Sequence, residues 1–156
     1  MKQLTGLIDS ETKKIVMAKF PELSSDELEL RILEALKFLF LASKYPRLRG
    51  TFIPVTKEID EIWHSMILET KYYESLCKKL PGGCFIHHAT LPFDSYEGKD
   101  NPGDFVDEVV EWFSLYIKEF GSMQTHQQPY WYFIQAMQVS LGMSLDELNR
   151  SVSGLK

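Results

Sequence analysis

Ser24-Ser25-Asp26-Glu27 opens onto apolar residues at Leu28, Ile32, Leu33, Leu36, Leu39 and Phe40, and this stretch narrows the fold more than any other. A serine followed three residues later by glutamate is a capping box: each side chain satisfies a backbone N–H at the other's end of the first turn. The i, i+3, i+4, i+7 spacing that follows describes one buried helical face. Leu30, Phe38 and Leu41 widen that face, so the helix is expected at the centre of the protein. It ends by Tyr45, because Pro46 disfavours helix in the residue before it.

The rest of the chain also reads as helices joined by loops. A first helix is expected from Asp9 or Ser10, both good N-caps, to Phe20, where Pro21 stops it. A third is expected from Thr56 to Leu80, on a stripe of Ile59, Ile62, Trp63, Met66, Thr70, Tyr73, Cys77 and Leu80. A fourth spans Asp104–Phe120 and a fifth Tyr130–Leu141, each stopped by a glycine. A second capping box, Ser144 with Glu147, opens a short last helix. The expected architecture is one all-α domain over residues 1–156, of five or six helices. An irregular, extended return segment and a long loop over 88–103 follow the third helix.

With 44% hydrophobic residues the chain can build a substantial core. Its net charge of −5 argues against a nucleic-acid or anionic-membrane surface as partner, and the short basic run Lys44–Arg49 does not reverse that. The N-terminal residues lack the apolar run of a secretory leader, and Ile32–Ala42 is too short and too charged to span a bilayer. A cytoplasmic location, with both cysteines reduced, is the expectation.

Chemistry-bearing residues concentrate between positions 60 and 88, where three of the four histidines and both cysteines lie. Metal ligands must converge to about 2.0–2.3 Å from one point. His64 and Cys77 on one straight helix would stand roughly 20 Å apart and cannot share an ion. Cys77 also falls on the apolar stripe, as a small core residue. His64 lies about 140° from the centre of that stripe and Asp60 about 100°, so the core pattern places neither, and they are one helical turn apart.

The turn Pro81-Gly82-Gly83 can send the chain back toward them. An extended run from Gly82 to His88 covers roughly 20 Å, against about 24 Å of helix from Leu80 to His64. Alternation puts Cys84, Ile86 and His88 on one face of that run, Phe85 and His87 on the other. A bend is therefore needed to bring both His87 and His88 to His64. Asp60, His64, His87 and His88 are the candidate metal ligands, with Asp60 either a fourth donor or the acceptor that orients the His64 ring. Such a set suits a zinc or iron ion, with manganese also open, and the same residues could hold a small ligand instead.

Other readings stand beside this one. Asp60 and His64 at i, i+4 also make an ordinary helix-surface pair. Cys84 with His87 is raw material for a nucleophilic thiol, although residues three apart on a strand face opposite sides. A Trp63, Tyr73 and Phe85 cluster beside a polar rim can dock a protein partner, making the chain an interaction or scaffold domain. A metal-dependent enzyme, with the 89–103 loop as its lid, is the third possibility. The oligomeric state and any reaction are not encoded legibly.

Asp60-Glu61-Ile62-Trp63-His64, then Tyr73, Cys77 and Phe85-Ile86-His87-His88, resembles the signature of the glycine-rich domain-containing protein-like family. The likeness runs over about residues 50–121, with the position two after His64 held by Met66 rather than a second histidine. It implies a helical module more than an activity. In it, Trp63, Tyr73, Cys77 and Phe85 look like the packing core of a helix-turn-return unit over 56–88.

Overall fold

A computed structural model describes residues 4, 6–48, 52–88 and 102–153. Among the described residues there are seven α-helices and two short 3-10 helices, Pro46–Leu48 and Gln128–Tyr130, and no strand. The α-helices are α1 Ser10–Ala18, α2 Ser25–Lys44, α3 Lys57–Leu68, α4 Thr70–Lys79, α5 Pro102–Phe120, α6 Tyr132–Leu141 and α7 Leu145–Ser153. The fold is all-α. No helix among the described residues is long and apolar enough to cross a membrane.

The expected count of five or six helices is corrected, because the stretch from Thr56 to Leu80 is two helices. Glu69 leaves helical geometry at φ −88° and ψ 61°. Its N–H turns back to the Met66 carbonyl at 3.1 Å. A continuous helix would have given Glu69 the carbonyl of Ser65. That carbonyl instead accepts from Lys19 Nζ at 3.2 Å, and the same ammonium bonds Glu69 Oε1 at 3.1 Å. A lysine just past the end of α1 thus satisfies the group that the break exposes.

The chain forms two compact units, Met1–Pro46 with Val55–His87 and Arg47–Pro54 with His88–Lys156. In the first, α2 is the central element. Leu28, Ile32, Ala35, Leu36, Phe38, Leu39 and Leu41 are all buried, and α3 packs along it, with the Phe38 and Trp63 rings edge-on at 5.0 Å. Burial is so complete that Glu34 and Lys37, one turn apart, are also inside and pair at 2.8 Å. Ser24 accepts from Glu27 N–H at 3.2 Å, but Arg31 holds the Glu27 carboxylate at 2.6 Å, so an i, i+4 ion pair competes for the second half of the capping box. Asp9 caps α1 by accepting from Thr12 N–H, which holds its carboxyl below the usual carboxylate range.

In the second unit, α5 begins at Pro102 rather than Asp104, since a proline loses no intrahelical bond at the first position. Trp112, Phe113 and Tyr116 on α5 are buried with Trp131 and Phe133. Their rings meet edge-on or tilted: Tyr116 with Trp131 at 5.1 Å, Trp131 with Phe133 at 5.5 Å. In the aromatic run 130–133, Trp131 and Phe133 are core, while Tyr130 is half-buried and Tyr132 faces outward. Asn149 on α7 clamps the Met123 backbone with two bonds of 3.0 Å. Ser144 and Glu147 bond each other reciprocally and start that helix.

Candidate metal centre

Asp60 and His64 occupy successive turns of α3 on its solvent side. Their neighbours Ile59, Ile62 and Trp63 are buried and fix the helix's rotation. His64 Nδ1 lies 3.4 Å from Asp60 Oδ2, with the two side chains 48% and 25% exposed. Both are thus reachable from solvent.

His88 arrives from the other direction. Gly82 donates to Ser43 Oγ at 3.0 Å at the end of α2, and Gly83 takes a positive φ of 60°, so the chain reverses after α4. Residues 83–88 then run without helix or strand. Ile86 is buried while His87 is exposed, so the alternation of an extended chain holds there. His88, two residues after Ile86, is half-buried.

One donor atom each from Asp60, His64 and His88 lies within 4.8 Å of the others. Donors bound to one zinc at about 2.0–2.2 Å stand at most about 4.4 Å apart, and about 3.4 Å apart in a tetrahedron. The His64–Asp60 spacing already matches. A spacing at the 4.8 Å limit has to close by about 1.4 Å to reach the tetrahedral value, which side-chain rotation can supply. Two imidazoles and a carboxylate suit zinc or iron. Three protein donors also leave at least one position for water or an anionic ligand, which is where a bound metal supplies Lewis-acid chemistry.

His87 is not brought to this group. Its ring packs against Phe85 at 4.9 Å between centroids and remains exposed. Cys77 is buried and Cys84 exposed, with no disulfide between them. Trp63 and Tyr73 are buried, whereas Phe85 is 41% exposed and covers Tyr73 edge-on at 5.1 Å. His126 is exposed in the second unit. The proposed lid over 89–103 falls outside the described residues except for its last two positions, which begin α5.

Sequence reasoning missed the link behind these residues. Trp63 Nε1 donates to Tyr73 Oη at 2.9 Å, and Tyr73 Oη donates to the Ile86 carbonyl at 2.7 Å. Burial pushes the Tyr73 phenol well above its ordinary value, so it stays protonated as a donor. The legible signal was that tyrosine and tryptophan on an apolar stripe need polar partners when buried. The break at Glu69 is what lets α4 come back beside α3 and bring residues ten apart into contact.

An all-α chain with a solvent-reachable His–His–carboxylate cluster is the class that fold and site define. The chain belongs to the UCP032817-like family, whose pattern matches residues 7–103, more than half its length and all three clustered residues. This corrects the resemblance to the glycine-rich domain-containing protein-like family. That likeness rested on short aromatic, histidine and cysteine spacings from residue 50 onward, which the packing of α3, α4 and the return segment accounts for. The match instead takes in α1 and α2, the helices on which those elements pack. Among curated proteins and among solved structures, nothing matches the chain.

Proposed function

We propose that the chain is a metal-binding helical domain in which Asp60, His64 and His88 hold one zinc or iron ion. The observation that carries this is the convergence of the three donors within 4.8 Å from two separate segments, at positions the core does not require. A helix-surface pair needs only Asp60 and His64. The arrival of a third donor from the return segment is what a shared ion explains.

The test is metal content and affinity of protein purified without a histidine tag. One equivalent of zinc or iron per chain is expected, or stoichiometric uptake of zinc by chelator-stripped protein. His64→Ala, His88→Ala and Asp60→Ala should each lower zinc affinity by at least about 10-fold, and His87→Ala should leave it within a few-fold. Parent protein that takes up no zinc or iron, or that loses none in His88→Ala, sinks the proposal.

The 3.4 Å contact between Asp60 and His64 supports a second reading, a non-catalytic scaffold or protein-interaction domain in which they are a surface pair. Under that reading the variants change stability by about 0.5 kcal/mol or less, without affecting metal uptake.

A further inference from the structure

Two buried hydrogen bonds join the residue before His64 to the residue two before His88. Trp63, Tyr73 and Ile86 are 3%, 1% and 4% exposed. An indole N–H only donates and a carbonyl only accepts, so Tyr73 accepts from Trp63 and donates its phenolic proton to the Ile86 carbonyl.

The return segment needs such an anchor. Residues 83–88 belong to no helix or strand, so no ladder of backbone bonds sets their path. The turn holds the segment's start through Gly82 and Ser43, yet Cys84 and Phe85, which follow, are exposed. At Ile86 the chain is pinned twice, by its buried side chain and by the Tyr73 hydroxyl on its carbonyl. Side chains two apart on an extended chain share a face. A rotation of the Ile86 peptide would therefore swing the His88 imidazole away from Asp60 and His64.

We propose that Tyr73 is the positioning residue of the metal centre, setting through the Ile86 carbonyl where His88 stands relative to Asp60 and His64. This rests on the metal-binding reading above. Tyr73 touches no donor atom in this role. It acts on the backbone that carries one ligand, while Trp63, which orients its hydroxyl, sits on the helix that carries the other two.

Cobalt(II) titration followed by visible absorption tests it in the parent, Tyr73→Phe, Trp63→Phe and His88→Ala. Tyr73→Phe keeps the ring and removes only the donor. Its cobalt affinity should fall by about 10-fold or more, and its spectrum should move toward that of His88→Ala. Trp63→Phe leaves the Tyr73–Ile86 bond in place and should show a smaller loss with the same spectral direction. Tyr73→Phe that melts lower but keeps the parent's affinity and spectrum overturns the positioning role and leaves metal binding intact. A parent that binds no cobalt overturns both. If Tyr73→Phe does not fold, unchanged cobalt affinity and spectrum in Trp63→Phe overturn the role by themselves.

Discussion

Gly82→Ala isolates how tightly the turn after α4 is seated. A Cβ on Gly82 would stand 2.4 Å from the Ser43 backbone oxygen and 2.9 Å from its Oγ. Ser43 is 1% exposed in the last turn of α2, so that oxygen retreats only if the helix end moves. Overpacking of this kind costs about 1–3 kcal/mol. Loss of the Gly82 N–H bond to Ser43 Oγ, now 3.0 Å long, adds about 0.5–1.5 kcal/mol. The narrower unfolded ensemble of alanine returns about 0.4–1 kcal/mol. The net expectation is a loss of about 0.5–4 kcal/mol. In urea titrations, with a slope near 2 kcal/mol/M, the midpoint should fall by roughly 0.3–2 M at unchanged slope. Gly83→Ala is the control: a Cβ there meets nothing within 4 Å, and only the positive φ of 60° is penalised, by about 1–2 kcal/mol. A Gly82→Ala protein as stable as the parent, with the same slope, would refute the close approach.

Two further outcomes follow from the buried polar groups of the first unit. Lys37→Met removes the ammonium that faces Glu34 in the core and should cost about 3–5 kcal/mol, whereas Glu34→Leu with Lys37→Met should be near neutral or stabilising; additive losses in a double-mutant cycle would count against the pair. Tyr73, whose phenol burial keeps protonated, makes stability fall with pH once the unfolded chain begins to ionise near the ordinary phenol value of 10.0. There the folded state binds the extra proton, and the slope approaches about −1.4 kcal/mol per pH unit. The stability difference between parent and Tyr73→Phe should therefore shrink above pH 10, and a difference constant from pH 8 to 11 would contradict the buried relay.

Local chemistry was enough to read most helix starts and the central element. Capping by Asp9, Ser24 and Ser144 depends on atoms within three residues, and the apolar period of Leu28–Leu41 shows which helix must be enclosed. Strand alternation likewise separated Ile86 from His87, and Ile86 is buried while His87 is exposed. The flank position of Asp60 and His64 was legible for the same reason, since helix periodicity relates each residue to its own stripe.

What tertiary structure decided begins at Glu69. Nothing between Thr56 and Leu80 announces a break, because the group that stabilises it, Lys19, comes from a distant helix. The straight-helix estimate of the return distance failed with it: a broken helix lets Tyr73 meet Trp63 and then reach Ile86. The Gly82 contact with Ser43 is of the same kind, a close approach of two backbones that no local pattern records. Periodicity tells each side chain which way to face. Only the packing of α1, α2, α3 and α4 brought Asp60, His64 and His88 to one place, because convergence depends on where separate segments end up rather than on the order of residues within either.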